Sequence, residues 1–291
     1  MSKTWFITGA TRGLGLEIAK AALEAGHNVV ATGRNLASMH RALGPDSDRL
    51  LCLDLDVTNE TQARTTVDAA IRKFGAVDVL INNAGFGYLG YFEDSTTEDA
   101  RAQLETNLFG VLHVTRAALP HMRNARQGRI FNVSSLGGML GAELGSLYCA
   151  TKFAVEGFSE CLAKEVAPFG IFVTILQPGP FRTDFLTAES ARYAKTGLAD
   201  YDERRDRLLK STEQRNGKQP GDPVKLAHAI LQLAEVAAPP LRFLGGSIAV
   251  NAANAKLAAW AAEVAAWRDL SLSTDGDYES TSVGLLLEQI K

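Results

Sequence analysis

Along the first two-thirds of the chain, short uninterrupted apolar runs alternate with longer stretches of helical period. The runs Trp5-Phe6-Ile7, Val29-Val30-Ala31, Leu50 to Leu55, Val77 to Ile81, Ile130 to Val133 and Phe172 to Leu176 are too short and too uniformly apolar for amphipathic helices. Most are rich in β-branched residues, and they read as buried strands. Between them lie helical patterns: Leu16 to Ala25, closed by Gly26; Thr61 to Phe74, closed by Gly75; Thr97 to Arg126, ending near Gly128; and Tyr148 to Val166, stopped by Pro168. This alternation predicts an α/β fold with a parallel sheet covered on both faces. Right-handed crossovers make it doubly wound and Rossmann-like.

The pattern changes after Pro178. Residues 180–220 show no clear strand, and charges are dense from Asp200 to Arg207. They read as a helical excursion carrying Phe181, Phe185, Leu186 and Tyr193, a lid over a binding cleft. A helix is expected after Asp222, with Pro223 in its first position. A last strand follows at Leu241 to Leu244, then an Ala-rich helix from Asn251 to Trp267. The expected organisation is a catalytic domain over 1–250 that includes the lid, and a C-terminal helical extension over 251–291 packed on it. The apolar segment Val283-Gly284-Leu285-Leu286-Leu287 is suited to docking on the body or on a partner.

Composition narrows the function classes. The 291 residues carry a net charge of −3 and no long basic run, which argues against a nucleic-acid partner. No apolar stretch is long enough to cross a bilayer. Met1-Ser2-Lys3-Thr4 leads straight into a strand pattern, so no signal peptide and a cytoplasmic location are expected. Cys52, Cys149 and Cys161 show no metal or redox spacing and read as reduced thiols. The five histidines are scattered, and no metal site is expected.

The first strand feeds Thr8-Gly9-Ala10-Thr11-Arg12-Gly13-Leu14-Gly15, and a helix follows at once. Glycines let the backbone turn and approach a pyrophosphate, and the helix N-terminus offers free N–H groups and partial positive charge. After the second strand, an NAD site commonly places an acid to hold the ribose 2′-OH. Here that position is Gly33, followed by Arg34 and Asn35. Arg34, with Arg12 from the glycine loop, would bind the 2′-phosphate of NADP(H) by charge-assisted hydrogen bonds.

Tyr148 and Lys152 are four apart in a helical stretch, so they share a face. A lysine ammonium beside a phenol is expected to lower its pKa and suit it to proton transfer. Ile130 to Val133 runs into Ser134-Ser135 at a strand's carboxyl end, where ligands of open α/β sheets bind. Ser135 would hold a substrate carbonyl, with Ser134 as its neighbour and alternative.

The Gly-x-x-x-Gly-x-Gly spacing, Asn82-Asn83-Ala84-Gly85 after the fourth strand and Tyr148-x-x-x-Lys152 together resemble the short-chain dehydrogenase/reductase family, over roughly residues 4–250. The resemblance implies that Asp56-Val57 receive the adenine, Asp54 being the weaker candidate. It implies that Asn83, Ala84 and Gly85 lie beside the adenosine ribose. Asn107 would support a proton relay to Lys152. Lys152 would also hold the nicotinamide ribose, and Pro178, Gly179 and Thr183 the carboxamide. Cys149 stands where the family usually has a small polar residue. The implied activity is NADP(H)-dependent interconversion of an alcohol and a ketone or aldehyde, by a homodimer or homotetramer that associates through its two long helices. Expected substrate walls are Phe86, Tyr88, Phe92, Leu136, Met139, Leu140, Glu143, Phe181, Phe185, Leu186 and Tyr193, an apolar set suited to an apolar or aromatic carbonyl compound. Two other classes share parts of this pattern. Sugar-nucleotide epimerases and dehydratases usually use Gly-x-x-Gly-x-x-Gly, which this chain lacks. Non-enzymatic NADP(H) sensors usually lose the tyrosine, which this chain keeps.

Overall fold

The computed structural model describes residues 2–187, 190–194 and 197–276; Val283 to Leu287 lie outside them. Seven parallel strands form the main sheet: β1 (Thr4–Thr8), β2 (Asn28–Gly33), β3 (Leu50–Asp54), β4 (Val79–Asn82), β6 (Gly128–Val133), β7 (Ile171–Pro178) and β9 (Arg242–Gly245). Their order is β3-β2-β1-β4-β6-β7-β9. The strand order reverses direction between β1 and β4, the switch point beside which doubly wound sheets bind ligands.

Period-two alternation divides the core. Trp5, Ile7, Val29, Ala31 and Phe131 face one side, packed by Ile18 and Ala22 of α1 (Gly13–Glu24) and by Leu226 and Ile230 of α8 (Pro223–Glu235). Phe6, Val30, Leu80 and Ile130 face the other. They pack against Val67 of α3 (Glu60–Phe74), Val114 and Met122 of α5 (Gly110–Ala125), and Leu162 of α6 (Ser146–Val166). Both faces are dry, which is why the strands read as unbroken apolar runs. Burying one such side chain contributes about 1.5–3 kcal/mol.

The long helix expected over Thr97 to Arg126 is interrupted. It begins as α4 (Thr97–Leu104), opened by a Thr96–Asp99 capping box, widens to a π turn over Glu105–Phe109 and continues as α5. A short helix not anticipated from the pattern, α2 (Leu36–Leu43), follows β2, with the Asn35 side chain accepting from Ser38 N at 2.9 Å.

The lid departs from the expected helical excursion. Phe185 and Leu186 lie on a single tight turn (Asp184–Leu186), and Tyr193 lies on a strand, β8 (Ala191–Tyr193). That strand pairs in parallel with β5 (Gly87–Leu89), forming a two-stranded ribbon. Only then does α7 (Asp202–Arg215) begin, and it buries none of its residues.

Two compact units divide the chain at Ala253. The described part of the second completes α9 (Ser247–Ala266) and holds α10 (Arg268–Leu272). No helix of the described residues is long and apolar enough to cross a membrane.

Candidate active site

The carboxyl ends of β1, β2, β4, β6 and β7 open into one cleft of about 1090 Å³. Its nucleotide side begins at the loop between β1 and α1. Gly9 has φ +67°, and a Cβ there would lie 2.9 Å from Ala84 Cα. A Cβ on Gly15 would lie 2.4 Å from both Gly9 O and Asn83 Nδ2, so only glycine lets the helix start this close to the loop. Asn83 fastens this contact by donating to Thr8 O at 2.9 Å and Gly9 O at 3.1 Å. Thr8 Oγ1 in turn accepts from the Asn83 and Ala84 backbones at 2.9 and 3.0 Å. The first turn of α1 carries no acid, and no side chain caps it. The first turn of a helix offers N–H groups and partial positive charge, and Gly13 and Leu14 of this turn line the cleft.

Of the sequence-assigned nucleotide residues, Gly9, Thr11, Arg12, Gly13, Leu14, Arg34, Asp56, Val57, Asn83, Ala84, Gly85, Tyr148, Lys152, Pro178, Gly179 and Thr183 all line this cleft, and so do Gly33 and Ser135. Gly15 supports the loop from behind, and Asn35 caps α2. A Cβ on Gly33 would come 2.9 Å from Thr11 Cγ2, so Thr11 fills the space a side chain there would take. Asp56 fixes its own turn by accepting from Thr58 N and Oγ1 at 3.0 and 2.8 Å. The alternative, Asp54, has an exposed side chain at the end of β3.

Tyr148 and Lys152 stand on the first turns of α6. The Lys152 Nζ lies 5.8 Å from the phenol ring centre and donates to Val133 O at 2.8 Å. Burial pushes the Tyr148 phenol up to about 12, and the nearby Ser135 hydroxyl partly offsets this. Burial also pushes the Lys152 ammonium down to about 8, offset by Glu156. The sequence-based expectation of a phenol lowered by lysine is therefore reversed: desolvation outweighs the Ser135 hydrogen bond that favours the phenolate. Such a phenol keeps its proton at neutral pH and is suited to donating it. Ser135 Oγ accepts from Gly137 N at 3.0 Å at the cleft wall. Its alternative, Ser134, buries its hydroxyl away from any partner among the described residues.

Asn107 sits in the π turn and is buried. Its amide accepts from Phe86 N at 3.0 Å and donates to Phe86 O at 3.0 Å and Thr151 Oγ1 at 3.2 Å. It thus ties the helix pair, the strand leading to β5 and α6 together behind Lys152. π turns recur at functional sites, and this one re-aims a single polar side chain.

Phe86, Tyr88, Leu136, Leu140, Glu143, Phe181, Phe185 and Leu186 line the substrate side of the cleft. Phe92 is 69% exposed and, with Met139 and Tyr193, lies off the wall. Residues the sequence reading missed come from the lid: Ala191 and Arg192 of β8, Arg215 at the end of α7, and Lys218 and Gln219 after it. The Arg192 guanidinium lies 4.4 Å over the Phe86 ring. The lid is tied down by the buried Asp94 carboxylate, which accepts from Arg205 at 2.9 Å and Leu198 N at 2.8 Å. The Glu143–Arg204 pair at 2.6 Å and stacked Tyr91 and Tyr201 add to it. One group of metal-ligand atoms occurs among the described residues, on His40, Asp46 and Cys52. Burial and Asp46 push its thiol up to about 11, so it holds its proton.

The family model for short chain dehydrogenase matches residues 3–194. This chain belongs to the short-chain dehydrogenase/reductase family. It is 42% identical over 277 residues to oxidoreductase BOA17 of Botryotinia fuckeliana, covering 94% of this chain and 100% of that one. It is 40% identical over 262 residues to a 3-ketodihydrosphingosine reductase of Bacteroides thetaiotaomicron, covering 87% and 91%. A solved short-chain dehydrogenase from Streptomyces avermitilis superposes with a TM-score of 0.86 at 38% identity, over 95% of this chain and 100% of that one. Solved family members hold either nucleotide. ElxO carries NADP (28% identical, TM-score 0.68, 85% of this chain and 99% of that one). A 3-ketoacyl-(acyl-carrier-protein) reductase from Brucella melitensis carries NADH (30%, TM-score 0.68, 84% and 97%). The protein is thus an oxidoreductase of this family.

Proposed function

We propose that this family member is an NADPH-dependent carbonyl reductase, reversible as an alcohol dehydrogenase, acting on an apolar or aromatic ketone or aldehyde. The observation that carries the reading is the convergence of Tyr148, Lys152 and Ser135 on the cleft that the glycine loop opens. The glycine cradle and the acid-free start of α1 fit a dinucleotide pyrophosphate, and Arg12 and Arg34 beside Gly33 favour one with a 2′-phosphate. The bound nicotinamide supplies the hydride. Ser135 holds the carbonyl oxygen, Tyr148 donates the proton to it, and Lys152 stabilises the phenolate left behind. Asn107 positions the segment behind Lys152. The apolar walls support an apolar substrate, and a relative named for reducing a keto compound supports the direction. We propose a cytoplasmic homodimer or homotetramer, on the exposed Phe109 and Phe153 of the two long helices; a monomer by light scattering would overturn that assembly.

Tyr148→Phe is expected to cut turnover at least 100-fold, the lower end of general-acid contributions of about 10²–10⁴, with the NADPH dissociation constant nearly unchanged. Wild-type turnover on a ketone panel would refute the reading. Reduction by the wild-type protein is expected to stay level below about pH 8 and fall above it as Lys152 loses its proton, since Tyr148 keeps its own to about 12. A rate level to pH 10 would contradict this.

A further inference from the structure

One turn beyond Lys152 on α6 is Glu156, a carboxylate in the protein interior at 8% exposure. An unpaired carboxylate there would be costly, and this one is paired from two strands. Oε1 accepts from Gln177 Nε2 of β7 at 3.0 Å, and Oε2 from Arg242 Nε of β9 at 3.3 Å. Arg242 also donates to Glu160 Oε2 at 2.7 Å. A Cβ on Gly138 would come 3.0 Å from Glu156 Oε1, so the loop that carries Ser135 rests directly on this carboxylate.

Residues four apart share a helix face, so Glu156 follows Lys152 one turn on along the same face of α6. The lysine also donates to the Val133 carbonyl of β6, lies 5.8 Å from the Tyr148 ring centre, and is near Gly85 with the Asn107 amide beside it. Glu156 is the charged group that acts on the ammonium. Arg242 is the charged group paired with Glu156, and it is shared with Glu160.

We infer that Glu156 is a positioning residue for proton transfer: its clamped carboxylate keeps Lys152 an ammonium beneath Tyr148, and Arg242 of the last strand sets how strongly Lys152 feels that charge. The inference rests on the proposed roles of Tyr148 and Lys152. It makes the edge strand β9 part of the chemical apparatus although it contributes no group to the reacting atoms. Removing the Glu156 charge makes the ammonium less stable, and removing the Arg242 charge makes it more stable. The two changes therefore act in opposite directions on one titration.

The test is the pH dependence of NADPH-driven ketone reduction by the full chain. Glu156→Gln keeps the size and the hydrogen bond to Gln177, and is expected to move the alkaline fall to lower pH by about one unit, a tenfold change in the ammonium equilibrium. Arg242→Met is expected to move it to higher pH. Opposite shifts support the inference. Unmoved profiles overturn it, even if both variants lose rate and thermal stability uniformly, because that is what a purely structural clamp gives. If Glu156→Gln does not fold, the half-exposed Arg242→Met decides alone: an alkaline shift supports, no shift overturns. Tyr148→Phe separates the two levels. An active Tyr148→Phe sinks the proton-transfer reading itself, whereas an inactive one with unmoved Glu156 and Arg242 profiles sinks this inference only.

Discussion

The nucleotide side of the cleft and its lid side are held by different forces. On the nucleotide side, Thr8, Gly9, Gly15, Asn83 and Ala84 interlock through short hydrogen bonds and contacts that leave no room for a Cβ. Those segments are already brought together by the pairing of β1 with β4. On the lid side, α7 has no buried residue, and the attachments among the described residues include ion pairs, backbone hydrogen bonds, a tyrosine stack and a three-residue ribbon. The first region cannot move without unmaking the sheet. The second can open by releasing a few contacts. Substitutions on the two sides are therefore expected to have separate effects.

Substitutions can break that separation or sharpen it. The largest effect is expected from Gly15→Val, whose side chain would meet Gly9 O and Asn83 at the phosphate loop. NADPH binding measured by fluorescence should weaken more than 100-fold, beyond the roughly 2.7 kcal/mol that this ratio represents. Retained affinity would mean the loop yields, contrary to the interlocked picture. Next comes Asp94→Ala, which removes the lid's buried anchor and leaves Arg205 paired with Asp202 alone. Here that loss should appear as faster hydrogen exchange over 198–215 and a higher substrate KM, with NADPH affinity unchanged. A matching loss of NADPH affinity would show that the two sides are coupled. The smallest is Arg34→Ala: about 1.5–3 kcal/mol of NADPH affinity, the scale of a hydrogen bond to a charged group, with NADH affinity unmoved. Equal loss for both nucleotides would remove the 2′-phosphate assignment.

The same contrast decides what was legible in the chain. Buried parallel strands are rich in apolar residues, so the six inner and leading strands of the main sheet stand out and the edge strand β9 shows only as the short run Leu241 to Leu244, while the glycine loop and the Tyr148–Lys152 pair are local patterns that need no tertiary knowledge. The β5–β8 ribbon joins residues about a hundred positions apart in three-residue strands, too short to carry a period. Glu156 looks like an ordinary surface charge on a helix; only Gln177 and Arg242, 21 and 86 residues later, give it partners in the interior and at the sheet edge. The proximity of tyrosine and lysine was visible from their spacing. The direction of the tyrosine's shift was not, because it depends on how much water the folded chain removes.

The π turn at Glu105–Phe109 has a consequence for chain length. A π turn holds one residue more than the α-helical turn it replaces. Deleting one residue from 105–109 would let α4 and α5 join as a continuous helix, each flank keeping the face it now packs with. The helix would be more regular, and Asn107 would lose its hold on both Phe86 and Thr151. At this place the protein encodes its site in the count of residues as much as in their identity. A survey by substitution alone would pass over the one change to which the segment is most sensitive.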